Sequence, residues 1–287
     1  MLKTLSELTK IRLVFLTLLS AMVGFYLAPG KFNFAAFLWM TLGTGLAAAG
    51  AMALNEWMEI EEDGKMRRTE KRPLPSGRIQ PAAAFWIGFV LCAAGLSLLI
   101  FKLHAGACAL VTVAIVGSYL FAYTPVKKRS SLNTILGAIP GALPPVAGWA
   151  ASTGTLPFGA WILASIIFLW QLPHFLSLAW VYRADYESAG FVMLTVEEKN
   201  PERIREKLML YTFALVPVSL LPSLTGLTGK IYFFGALILG VIFCWKALKD
   251  LRVLDRGAKP FFFYSILYLF VLQILMVVDK QLGRAQI

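Results

Sequence analysis

Apolar positions in this chain come in long unbroken blocks rather than in stripes. Residues 32–54 contain no charge at all, and that block matches the roughly 20 residues a helix needs to cross a bilayer. Similar blocks recur from end to end and predict spans over about 11–29, 34–58, 81–101, 105–123, 132–151, 158–182, 206–222, 231–247 and 261–279. Hydrocarbon offers no partner to backbone N–H and C=O groups, so blocks of this kind are helices. A membrane β-barrel would alternate apolar and polar residues with a period of two, and these blocks do not. The first block lacks a small-x-small cleavage site and is followed at once by the second, so it reads as a span rather than a removable leader. The expected fold is all-α: a polytopic membrane protein, a bundle of nine transmembrane helices in one domain over 1–287.

The polar segments between the blocks alternate sharply in charge. All but five of the 27 Lys and Arg residues fall at the N-terminus or after spans 2, 4, 6 and 8; the exceptions are Lys31, Lys102, Lys230, Lys280 and Arg284. Positively charged loops stay inside, which predicts a cytoplasmic N-terminus and an extracytoplasmic C-terminus. Composition agrees: 58% of residues are hydrophobic, only 15% are charged, and the mean hydropathy is +0.70. The net charge of +11 is then no nucleic-acid signal. It is largely topological, and it lies where anionic lipid or a phosphorylated substrate would meet it. Cys92, Cys108 and Cys244 occupy three separate apolar blocks without metal spacing and read as packing residues. His104 lies in an extracytoplasmic turn and carries no role.

Carboxylates contribute little to membrane orientation, yet all 16 Asp and Glu residues except Asp279 share the predicted cytoplasmic side. Two groups of them point to chemistry. Asn55, Glu59 and Asp63 recur every four residues at the end of span 2. On a continuous helix they drift about 40° and rise about 6 Å per step, lining one face over roughly 12 Å. That spread suits oxygen ligands for one or two Mg²⁺ ions holding a diphosphate; it also suits a solvated helix end of mixed charge. Lys65, Arg67, Arg68, Lys71, Arg72 and Arg78 follow within a few residues and supply the donors that phosphate oxygens take. The second group closes span 6, where Asp185 lies at the membrane level of Asp63, four spans later. His174 falls inside span 6, and an ionisable residue there is either functional or a hydrogen-bonded core residue. Lys127, Lys128 and Arg129 close span 4 as a topology signal or a third cationic wall. The Pro- and Gly-rich run 137–148 breaks span 5, which predicts loosened packing and room for a flat ligand.

Taken in order, these stretches resemble the UbiA superfamily of intramembrane prenyltransferases, and within it the protohaem IX farnesyltransferase (haem O synthase) branch. The resemblance is carried by Leu8-Thr-Lys10-x-Arg12, by Lys65-Met-Arg-Arg-Thr with Arg72-Pro-Leu-Pro-Ser-Gly-Arg78, and by Asn133-Thr with Gly141-Ala-Leu-Pro-Pro and Gly148-Trp149. Gln171-Leu-Pro-His174-Phe175 and Asp185-Tyr-Glu-Ser-Ala-Gly190 complete it. It runs from about residue 8 to residue 196; the last three spans match only in length and polarity. The resemblance implies transfer of a farnesyl group from farnesyl diphosphate to a vinyl of haem b, with water added, giving haem O and diphosphate. It implies that Asn55, Glu59, Asp63 and Asp185 hold Mg²⁺ and the diphosphate, that Lys65, Arg67, Arg68, Arg72, Arg78, Lys127, Lys128 and Arg129 bind the diphosphate, and that His174 belongs to the haem site. It also implies a bacterial inner membrane with the site facing the cytoplasm, and haem-handing partners downstream. The superfamily usually carries Asp where this chain has Glu59 and often where it has Glu56. Ala189 replaces a second Asp of other branches, and Phe191-Val192 stands where the branch usually has a residue followed by Pro.

Two rival readings share much of this pattern. A superfamily enzyme acting on an aromatic acid or quinone precursor would keep the first acidic motif without needing Gln171 to His174. A transporter would set its charges at the midplane of a repeat interface, and a haem carrier would not need a diphosphate site.

Overall fold

The computed structural model describes residues 2–103 and 106–284, so His104 lies outside the described residues; within them every regular element is helical. In chain order these are α1 (Leu2–Leu8), α2 (Ile11–Leu27), α3 (Phe34–Met58), α4 (Ile60–Lys65), α5 (Pro81–Phe101) and α6 (Gly106–Gly117). A π-helical turn (Ser118–Tyr123) leads into α7 (Thr124–Val126), then α8 (Asn133–Ala142), α9 (Pro144–Thr153), α10 (Phe158–Val181) and α11 (Arg183–Ser188). The chain ends with α12 (Leu194–Glu197), α13 (Pro201–Leu224), α14 (Lys230–Asp250) and α15 (Leu254–Arg284). Eight segments among the described residues are long and apolar enough to cross a membrane. The expected first span qualifies only when α1 and α2 are joined, because they bend by 56° between Leu8 and Ile11.

The helix starts are written locally. Asn33 precedes α3 and accepts a hydrogen bond from Ala36 N at 3.0 Å, while Asn200 caps α13 through Glu202 N at 2.9 Å with Pro201 in the first turn; both are ordinary N-cap chemistry. Between helices, small residues let backbones meet, as packing within lipid requires. A Cβ on Gly148 of α9 would lie 1.8 Å from Ala21 O of α2, and one on Gly24 of α2 would lie 2.0 Å from Pro145 O. On α3 and α5 the same close approach involves Gly50, Gly88 and Gly95, and Cys92 Sγ donates to Ala47 O at 3.4 Å.

That geometry corrects the reading of the run 137–148 as loosely packed. The span does break, at Leu143 between α8 and α9. Its glycines, however, admit close neighbours: Gly141 faces Gln171, whose Oε1 would sit 2.0 Å from an added Cβ. Residues 144–151 are buried without exception. The prolines end one helix and start the next, and the glycines let the second lie against α2.

At the far end of α2, the last helix ties two others together. Asp279 accepts from the backbone N–H groups of Gly229 and Tyr232 at the start of α14. Lys280, the next residue, donates to the carbonyls of Tyr26, Leu27 and Ala28 at 2.9, 2.6 and 3.0 Å. One side chain thus satisfies the orphan donors of a helix start and its neighbour the orphan acceptors of a helix end.

Candidate active site

The polar cluster at the end of α3 is buried. Asn55 Oδ1 accepts from Lys10 Nζ at 3.1 Å and from Tyr119 OH at 3.1 Å, and its Nδ2 donates to Thr124 Oγ1 at 3.2 Å. Glu59 receives Lys127 Nζ on both carboxylate oxygens, at 2.8 and 3.1 Å. Asp63, fully buried, receives Arg72 Nη1 at 2.8 and 2.6 Å. Each of the three residues spaced by four is therefore met by one cation from a different segment of the chain.

The helix carrying them is not continuous. Glu59 has φ −111° and ψ 21° and separates α3 from α4, although Glu59 N still bonds to Asn55 O at 3.1 Å and Asp63 N to Glu59 O at 2.8 Å. The expected single helical face is thus a helix end, a break and a second short helix. Glu56 is also fully buried; one of its oxygens accepts from Leu74 N at 3.3 Å and the other has no partner. Glu62 pairs with Lys128 at 2.5 Å.

Asp185 reaches this cluster through the intervening loop. It is half-buried, and its Oδ2 accepts from the backbone N of Arg68 at 3.3 Å. Ser188 Oγ donates to Lys65 O at 3.3 Å, and the Arg68 guanidinium lies 5.0 Å from the Tyr182 ring, so α11 holds the loop after α4. Asn133 Nδ2 donates to Val192 O at 2.7 Å and Val192 N donates to Lys127 O at 2.7 Å, which links the segments after spans 4 and 6. Arg78 pairs with Glu7 at 2.6 Å and donates to Lys71 O at 2.5 Å. Lys65, Arg67 and Arg129 are exposed around the cluster.

Among the described residues, no three His, Cys, Asp or Glu side chains already converge at metal-binding distance. The donor set nevertheless fits a hard divalent cation: it is all oxygen, and one buried Glu56 oxygen lacks a partner. The electrostatics are balanced, four buried carboxylates (Glu56, Glu59, Glu62, Asp63) facing four cations (Lys10, Arg72, Lys127, Lys128). Burial, with Arg72 adding to it, lowers the Lys10 pKa to about 8 against the pull of Glu59, Asp63 and Glu56. Burial alone would lower Lys127 too, but the Glu59 carboxylate, through its charge and its hydrogen bond, together with Tyr123 and Tyr119 outweighs it and raises its pKa.

Several residues at this site were not singled out from the sequence. The π-helical turn brings Tyr119 to Asn55, sets Tyr123 with its ring 4.4 Å from Lys127 Nζ, and lets Thr124 Oγ1 donate to Tyr119 O at 2.9 Å. Such turns recur at functional sites. The tyrosines sit four apart just before Thr124-Pro125, and that spacing next to Lys127 was the available signal. A Cβ on Gly137 would fall 2.6 Å from the Tyr123 ring, so this glycine makes room for it. Lys10 is the only non-glycine with positive φ among the described residues (φ 48°), a conformation costing about 1–3 kcal/mol that persists only where the surroundings fix it.

His174 lies apart from the acidic cluster, inside α10. Its ring is stacked between Trp170, at 4.5 Å, and Phe262, at 4.6 Å, and Nδ1 is 2.8 Å from Ser265 Oγ. Ser265 O also accepts from Trp170 Nε1 at 2.6 Å. An imidazole anchored through one nitrogen offers the other in a fixed direction, as metal-ligating histidines do. Gln171, from the same motif, donates to Ala138 O and Ile167 O, both at 3.2 Å, and so joins α10 to α8.

A model of the UbiA prenyltransferase family matches residues 17–271. The protoheme IX farnesyltransferase of Solibacter usitatus is 42% identical over 289 residues, covering 96% of this chain and 97% of its own. That of Opitutus terrae is 40% identical over 276 residues, covering 96% and 93%. The fold resembles that of a UbiA homologue from Archaeoglobus fulgidus, solved with GPP and Mg²⁺, with TM-score 0.73, 15% identity and 96% and 99% of the two chains covered.

Proposed function

Since the chain belongs to the UbiA prenyltransferase family, we propose that it is a protohaem IX farnesyltransferase, transferring the farnesyl group of farnesyl diphosphate to haem b in a bacterial plasma membrane. The observation that carries this reading is the buried mouth in which Asn55, Glu56, Glu59 and Asp63 face Lys10, Arg72 and Lys127. Oxygen ligands and phosphate donors interleaved at one helix end are what an allylic diphosphate requires, and a soluble or purely topological role requires neither. In the expected orientation this mouth opens to the cytoplasm.

Mg²⁺, held by Asn55, Glu59, Asp63 and Asp185 with Glu56 close by, would neutralise the negative charge that builds on the departing diphosphate; the Archaeoglobus fulgidus UbiA homologue of like fold was solved bound to GPP and Mg²⁺. The chain's own cations do the rest. Arg72 and Lys127, released from their carboxylates, donate to the phosphate oxygens as the C1–O bond breaks. The vinyl carbon of haem b supplies the electron pair for the new C–C bond. Water then adds its oxygen to the adjoining carbon and gives up a proton. Tyr119 and Tyr123 line the same mouth, where an aromatic face stabilises positive charge on the allylic carbon.

His174 is the candidate haem contact. A His174→Ala protein is expected to bind haem b about 10–100-fold more weakly, read from the Soret band, while its affinity for Mg²⁺–pyrophosphate is unchanged. Equal haem titrations for the two proteins would assign His174 to core packing alone.

The decisive experiment incubates purified protein with haem b, farnesyl diphosphate and Mg²⁺ and follows the haem by chromatography and mass spectrometry. A haem heavier by one hydroxyfarnesyl unit, absent when EDTA is added, is the expected result. Prenylation of a quinone precursor with haem untouched would keep the family and overturn the acceptor.

A further inference from the structure

From the α1–α2 turn we infer a second role for the N-terminal segment: Lys10 is a substrate-contacting residue that binds the diphosphate of the prenyl donor. This rests on the diphosphate reading above and extends it to a residue outside both acidic motifs.

Three observations point the same way. The first is the backbone. Lys10 holds a left-handed conformation, φ 48° and ψ 49°, in a position where glycine or asparagine would be the easy choice. A residue kept there despite the conformation is kept for its side chain. The second is how firmly the turn is fixed. Leu8 is fully buried against Ala53, Leu74 and Ala84, and Glu7 is paired with Arg78 at 2.6 Å. The carbonyl of Lys10 already accepts from Leu13 N at 2.8 Å, so α2 starts from it. The bend between α1 and α2 therefore aims one side chain, and it aims inward.

The third is the partner. Lys10 Nζ has a neutral amide oxygen, Asn55 Oδ1 at 3.1 Å, as its hydrogen-bonding partner. Arg72 and Lys127 are matched to carboxylates; Lys10 is not. An ammonium has three protons to place, and this one is held among Arg72, Glu59, Asp63 and Glu56. It is the least committed cation of the cluster, positioned at its Asn55 end, while Arg72 and Lys127 meet Asp63 and Glu59 further along the chain. A diphosphate entering between these cations would take its first new donor from Lys10 without any carboxylate having to give one up.

The test separates the side chain from the turn. Lys10→Gly removes the ammonium and suits a positive φ, so a residue that matters only for the bend would be replaced without loss. Binding of Mg²⁺–pyrophosphate, measured by calorimetry in detergent, is expected to weaken about 10–100-fold in this variant. Its thermal midpoint and haem titration should match those of the unaltered protein, and Lys10→Arg should recover part of the affinity. In turnover, KM for farnesyl diphosphate rises and KM for haem b does not. Unchanged pyrophosphate affinity in Lys10→Gly overturns the inference while leaving the proposed reaction standing. A joint loss of thermal stability and haem binding also overturns it, assigning Lys10 to the turn. An unaltered protein that binds no Mg²⁺–pyrophosphate overturns both.

Discussion

Replacing Asp63 with asparagine is expected to lower the rate of farnesyl transfer by about 10²–10³-fold. The side chain keeps its shape, but it loses the charge that holds Arg72 Nη1 at 2.6 and 2.8 Å and the anionic oxygens a divalent cation prefers. Asp63 is the most enclosed of the three spaced residues, 0% exposed against 1% for Asn55 and 4% for Glu59, so water cannot substitute for the missing charge. The backbone around it should survive, because Thr69 Oγ1 donates to Asp63 O and Asp63 N donates to Glu59 O, bonds that asparagine retains. Activity and folding are thus separable. Transfer is measured by haem chromatography and folding by the thermal midpoint in detergent; a stable Asp63→Asn protein with native turnover would remove Asp63 from the chemistry.

Gly148→Ala should act in the opposite order, on the fold first. The added methyl would lie 1.8 Å from Ala21 O, 2.7 Å from Ala21 C and 2.9 Å from Phe25 N, all backbone atoms of α2. No rotamer relieves that contact, so the helices must separate, and overpacking of this kind costs about 1–3 kcal/mol or more. The adjoining crossing point, Gly24 on Pro145 O, opens with it. Gly141→Ala makes a useful contrast, because there the methyl meets the side chain of Gln171. A lowered thermal midpoint in Gly148→Ala, larger than in Gly141→Ala, is the expected outcome. Equal midpoints would argue that α2 and α9 do not cross this closely.

Span positions were readable because hydrocarbon makes a coarse demand: enough apolar residues in a row, with the helix following from the backbone. The acidic and basic motifs were readable for a similar reason, since charge at a membrane surface needs a cause. What pairing would result was not. Nothing in the spacing of Asn55, Glu59 and Asp63 says that the helix breaks at Glu59 or that each would meet its own cation. Those facts depend on segments as distant as Lys10 and Lys127. Tyr119 and Thr124 escaped because a π-helical turn shifts the periodicity by which faces are counted. The Gly/Pro run misled for another reason: its composition marks both loosened and unusually close packing, and only a partner helix decides between them.

Asp279 and Lys280 bear on how the protein is made. A ribosome delivers the chain from the N-terminus, so α2 enters the membrane about 250 residues before Lys280 exists. Until then the carbonyls of Tyr26, Leu27 and Ala28 lack the ammonium that later holds them. The start of α14 likewise waits for Asp279. The arrangement of α2 and α14 is therefore fastened only when α15 arrives, reaching back to one helix that preceded it immediately and to another made about 250 residues earlier.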